Sequence, residues 1–139
     1  MECPRCMIDP TSHSFKKISE KDGMLVYYTN PAKATDYNTD RILAHYEYEL
    51  QKIGNKKWIW IFDSDGFDIK QALEVKTGIG IARFIKDNVH EIKIINPTWH
   101  IKTMLHAVSP FLNKTIKDKI TILNRYCSIL EFINTFDNH

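Results

Sequence analysis

No apolar run in the sequence approaches the roughly 20 residues needed to cross a bilayer. The opening Met1-Glu2-Cys3-Pro4-Arg5-Cys6 lacks the apolar core of a secretory signal, which leads us to expect a cytoplasmic protein. Net charge is nearly absent: 19 basic residues against 17 acidic ones leave +2. That balance gives no electrostatic footprint for nucleic acid, and no nucleic-acid partner is expected. Cysteine is scarce, and the three present, Cys3, Cys6 and Cys127, cannot all pair within one chain. An odd number without a signal fits a reducing compartment. Internal repeats, low-complexity tracts and interdomain linkers are also missing.

What is present is the composition of an ordinary globular domain. Of 139 residues, 43% are hydrophobic and 26% charged, enough to bury one core and to exclude a disordered chain. Residues 1–22 read as an irregular N-terminal segment, with Pro4, Pro10 and the run Thr11-Ser12-His13-Ser14. Residues 23–139 read as a single domain.

Met24 to Thr29 is β-branched and aromatic and predicts a strand, broken by Asn30-Pro31. Asn38-Thr39-Asp40 offers helix-capping chemistry, and Ile42, Tyr46, Leu50 and Ile53 follow at helical spacing up to Gly54. Trp58-Ile59-Trp60-Ile61-Phe62 is apolar throughout, so a strand covered on both faces is expected, part of the core before it is a binding surface. A helix is expected from about Ile69 to Lys86, with Ala72, Leu73, Ala82 and Ile85 facing inward. Glu91 to Ile95 predicts a third strand and Thr98 to Ala107 a third helix. Lys119 to Leu123 predicts a fourth strand, and Ser128 to Phe136 a closing helix. This alternation argues for an α/β sheet of about four to five mainly parallel strands flanked by helices.

One stretch carries a resemblance. Ile94-Ile95-Asn96-Pro97-Thr98-Trp99, a helix, Ser109-Pro110-Phe111-Leu112 and Lys117-Asp118-Lys119-Ile120 together resemble the CRAL-TRIO lipid-transfer family, in its divergent BCH-type branch. Tyr27-Tyr28, His45-Tyr46 and Trp58 to Asp63 fit the same branch, and the likeness runs from about Lys16 to Phe136. It implies a central sheet with a mobile gate helix over an apolar pocket. No counterpart of the family's headgroup-binding residues can be placed, so a phosphoinositide ligand is not implied.

In the helix after Pro97, Ile101, Met104, Leu105 and Val108 share one face, while Lys102, Thr103 and His106 take the other. By itself that pattern describes a helix covering a core. With the resemblance it implies a ligand site made by Ile101, Met104, Leu105 and Val108, joined by Phe111. The expected function is non-catalytic binding of a small hydrophobic ligand or lipid. The alternative is a protein-interaction module with a filled pocket, and an empty apolar cavity of several hundred Å³ separates the two.

Other motifs are weaker. Asp63-Ser64-Asp65-Gly66 after an apolar strand imitates the first motif of haloacid-dehalogenase-type phosphatases, where two carboxylates hold Mg²⁺. A later strand ending in paired carboxylates is missing, and a turn with Asp caps explains the motif as well. Cys3-Pro4-Arg5-Cys6 is half of a zinc knuckle. Only His13 and Cys127 suggest themselves as further ligands, and they form no second close pair, so free thiols on a frayed terminus are expected, with no metal and no cofactor. Gly78-Ile79-Gly80 fails the dinucleotide fingerprint because Arg83 stands where its third glycine belongs. His45, His100 and His106 are scattered, and no serine or cysteine sits in a nucleophile elbow. Lys114, Lys117, Lys119 and Arg125 form a modest basic group suited to peripheral contact with an anionic membrane.

Overall fold

Strand β3 (Trp58–Asp63) occupies the middle of a five-stranded sheet in the computed structural model, which describes residues 3–124. Strands run in the order β1 (Lys16–Lys21), β2 (Met24–Thr29), β3, β4 (Val89–Ile95) and β5 (Ile120–Ile122). Neighbours from β2 to β5 are parallel, and β1 pairs antiparallel with β2. The β1–β2 hairpin turns at Asp22-Gly23, both at positive φ, as a two-residue hairpin loop requires. The α/β architecture with a mainly parallel sheet is therefore as the alternating pattern predicts.

Side chains on β3 alternate between two buried faces. Trp58, Trp60 and Phe62 point one way, and Ile59 and Ile61 the other. The first face meets the helices. Helix α2 (Thr39–Ile53) lays Tyr46 and Ile53 on it, and Phe15 stacks on Tyr46 at 4.3 Å between ring centres. The second face gathers Val26, Ile59, Ile61 and Ile95.

Helix ends follow their capping residues. Asn38 accepts a hydrogen bond from the Arg41 amide at the start of α2, and Thr98 caps α5 (Trp99–Val108) through the Ile101 amide. The expected continuous helix from Ile69 to Lys86 is two pieces, α3 (Ile69–Ala72) and α4 (Val75–Phe84). The Asp68–Gln71 capping box starts α3, which stops at Leu73. That break resets the helical phase, so Leu73, expected inward, is 75% exposed, whereas Ala82 and Ile85 are buried.

Residues 1–22, expected to be irregular, contain α1 (Pro4–Ile8) and all of β1. Proline at the first turn of α1 is compatible with a helix start, and β1 is legible only through its partner because its side chains are mostly polar. Cys3 is buried and Cys6 half-buried, so this end of the chain is folded against the domain rather than frayed. Among the described residues, no helix is long and apolar enough to cross a membrane. A short helix α6 (Lys114–Lys117) leads into β5. The expected closing helix from Ser128 to Phe136 lies outside the described residues.

Candidate functional site

The helix-facing side of the sheet does not pack fully. Trp60 and Phe62 of β3 and Ile92 and Ile94 of β4 form the floor of a cavity. Gly78, Ile81 and Ala82 of α4 and Ile101, Met104, Leu105 and Val108 of α5 form its roof. Tyr46 and Ile42 of α2 close one side. The lining is almost wholly apolar, and the free volume is about 170 Å³. That is short of the several hundred Å³ expected of an open carrier, yet comparable with cavities of about 150 Å³ that admit a benzene-sized group.

Four of the five residues expected at the site converge there. Ile101, Met104 and Val108 are buried, and Leu105 is half-buried. Phe111 does not join them. It falls in the one-turn 3-10 segment Ser109–Phe111, 42% exposed, with the Arg83 guanidinium 5.2 Å above its ring. Its role is to fasten the end of α5 to α4 by a cation–π contact. Helix α5 ends at Val108, so Phe111, which the resemblance added to the site, lies beyond its apolar stripe.

The floor and the α4 contribution were not predicted as a site. Alternation along β3 signals which residues share a face, but not that a space opens above Trp60 and Phe62. The Trp60 indole N–H donates to Thr29 Oγ1 at 3.0 Å, which fixes the ring against that space. Gly78 and Gly80 have no phosphate role: they let helices approach. A β-carbon on Gly78 would meet Met104 and Val108, and one on Gly80 would meet Leu43.

Polar residues also border the chamber. Asp36, Tyr37, Gln71, Glu74 and Thr77 line it, with His13 beside them. Asp36 takes two hydrogen bonds of 2.8 Å from the Arg41 guanidinium, which hold its carboxyl well below the usual carboxylate range. Burial keeps the His13 and His45 imidazoles below their ordinary value. Burial likewise pushes the Tyr46 hydroxyl up.

The phosphatase-like Asp63 lies outside this cavity, on the opposite face of the sheet. Its Oδ2 accepts from the Tyr28 hydroxyl at 2.6 Å, and its Oδ1 from the Asp65 amide and the Asn96 side chain, each at 3.0 Å. Those bonds tie together the ends of β2, β3 and β4. The basic group is committed only in part. The Lys119 ammonium donates to the Asp87 and Val89 carbonyls, Lys114 and Lys117 are exposed, and Arg125 is outside the described residues.

Cys3 and Cys6 gather with His13 and His45, their ligand atoms within 4.8 Å of one another. His45 arrives from α2, a partner that spacing near the cysteines did not suggest. Cys127 is outside the described residues.

A model of the CRAL/TRIO domain family matches residues 3–137. No curated protein matches the chain.

Proposed function

The chain belongs to the CRAL/TRIO family, whose domains bind small lipophilic ligands, and on that premise we propose that the cavity beneath α5 receives the apolar part of such a ligand. The observation that carries this reading is the cavity itself: an apolar chamber roofed by Ile101, Met104, Leu105 and Val108, with the polar residues Asp36, Tyr37 and Gln71 at its border. A ligand with a hydrocarbon body and a polar end matches both parts. The free volume of about 170 Å³ admits a short apolar segment, and a longer acyl chain enters when α5 lifts. Met104 suits a wall of that kind because its unbranched thioether repacks readily. Exposed Trp99 on α5 and Ile69 on α3, which packs against α5, place apolar surface beside this gate for peripheral contact with a membrane. The binding is non-catalytic, in keeping with the hydrogen-bonded state of Asp63.

A second reading draws on the same volume. An interaction module of the BCH type keeps its pocket filled, and a small cavity favours that more than a large one. Native mass spectrometry with lipid extraction, on protein made in a eukaryotic host, separates the two. A copurifying lipid, or saturable uptake of a fluorescent fatty acid, supports the carrier. An empty chain that takes up neither overturns it in favour of the interaction module.

A further inference from the structure

The N-terminal segment is folded so that two thiols and two imidazoles meet. Cys3 caps α1 and Cys6 lies in it. The chain then turns at Asp9, whose side chain accepts from the Thr11 amide at 3.0 Å. It pairs with the segment before α2 through the Thr35 amide on the Thr11 carbonyl and the Asp36 amide on the Ser12 carbonyl. This returns His13 to the cysteines, and α2 supplies His45 from the other side.

The separations are those of a coordination sphere. His13 Nδ1 lies 3.6 Å from Cys3 Sγ and 3.5 Å from Cys6 Sγ, and His45 Nδ1 lies 3.6 Å from Cys6 Sγ. Zinc–sulfur bonds of about 2.3 Å and zinc–nitrogen bonds of about 2.0–2.1 Å, at a tetrahedral angle, put sulfur and nitrogen about 3.6 Å apart. Simple thiol–imidazole hydrogen bonds need one sulfur per ring. Here both sulfurs address the single Nδ1 of His13, and Cys6 addresses both rings.

The opposite edges of the two rings are already assigned. His45 Nε2 is 2.7 Å from the Phe15 carbonyl oxygen, which only accepts, so this nitrogen carries the proton. His13 Nε2 is 3.0 Å from Asp36 Oδ2 and donates to it, while Arg41 holds that carboxylate in place. Each neutral ring therefore turns a Nδ1 lone pair toward the sulfurs. A carboxylate or carbonyl behind a histidine is the usual support of a metal-bound imidazole.

We propose that Cys3, Cys6, His13 and His45 form a structural zinc site, with both Sγ atoms and both Nδ1 atoms as ligands. Two sulfurs and two nitrogens in tetrahedral reach select zinc among the common divalent ions. Four protein ligands leave no open position, so the site is structural and performs no hydrolysis. Binding releases the two thiol protons to solvent and leaves both rings neutral. The metal ties the N-terminal segment to α2. His13 and Ser14 of that segment line the ligand cavity and Phe15 stacks on Tyr46, so the tie also holds one wall of the cavity.

The test uses the full chain under reducing conditions. Elemental analysis and native mass spectrometry should find one zinc per chain. Chelator-stripped protein titrated with Co²⁺ should show the intense visible bands of a tetrahedral ion together with thiolate-to-metal charge transfer. Cys6→Ser should abolish stoichiometric binding, and His106→Ala, on the exposed side of α5, should leave it intact. Asp36→Asn keeps all four ligands and should weaken zinc about 10–100-fold. Because His45→Ala empties a buried position, the cobalt spectrum of the unmutated chain decides the matter should that variant not fold. A folded chain that takes up neither metal, a cobalt spectrum without thiolate charge transfer, or full stoichiometry in Cys6→Ser overturns the site.

Discussion

Gly78 of α4 faces Met104 of α5 so closely that a β-carbon on the glycine would stand 3.1 Å from the methionine sulfur, and equally close to Val108. The absence of a side chain at Gly78 therefore sets how near α5 lies to α4, and with it the height of the cavity. Gly78→Leu should wedge the helices apart and fill the space that Gly78 lines. Overpacking of that kind costs about 1–3 kcal/mol. Urea unfolding should report the loss, and uptake of a fluorescent fatty acid should fall. An unchanged midpoint with unchanged uptake would show that α5 does not rest on Gly78.

Leu105 and Lys102 give a matched pair on α5. Leu105 is half-buried and lines the cavity, whereas Lys102 is exposed. Leu105→Asp should abolish lipid uptake, because a carboxylate facing an apolar chamber loses its hydration at a cost of several kcal/mol. Lys102→Asp should retain uptake, its side chain staying in water. Circular dichroism on both variants separates a lost ligand site from a lost fold. If Leu105→Asp binds as well as the unmutated chain, the cavity under α5 is not the ligand site.

Asp63 offers a test of the non-enzymatic reading. Asp63→Asn retains one oxygen for the Asp65 amide and the Asn96 side chain and presents an amide to the Tyr28 hydroxyl, which can accept. A loss of about 1 kcal/mol is expected, with ligand binding unchanged. Asp63→Ala strips all three partners and should cost more, about 1–3 kcal/mol for each buried group left unpaired. Neither the parent chain nor the variants should hydrolyse phosphate esters with Mg²⁺. Turnover abolished by Asp63→Asn would reverse the assignment.

Ile61, with no exposed surface on the central strand, measures the second face of the sheet. Ile61→Ala should lower stability by about 2–5 kcal/mol, the range for emptying a packed site. Calorimetry or a denaturant midpoint checks it. A negligible shift would mean that this face relaxes around the deletion.

Much of the fold is legible because its signals are local. The strand Met24–Thr29 and the helix Thr39–Ile53 announce themselves through residue type, capping and spacing, all expressed within a few residues. The same holds for the apolar stripe of α5. Polar β1 has no such signal, since a strand of this kind exists by virtue of pairing with β2. The break at Leu73 is also weakly marked: the apolar spacing continues across it, and the Asp68–Gln71 capping box marks where α3 starts, not where it stops.

Periodicity alone assigned Ile101, Met104, Leu105 and Val108 to one helix face, because 3.6 residues per turn leaves no freedom in that matter. Whether that face meets a packed core or a cavity depended on Trp60, Phe62, Gly78 and Ile94, which only the sheet order and the helix approach bring opposite it. Likewise Cys-Pro-Arg-Cys was visible as half of a metal motif and His13 as a candidate third ligand, while His45, on α2, was not. Spacing along the chain cannot encode that meeting. It arises from the register of β1 on β2 and the seating of α2 on the sheet, where burial of Phe15 against Tyr46 draws the two histidines to 4.9 Å between ring centres. Local geometry follows from local sequence, and a site assembled from distant residues follows from the packing that buries them.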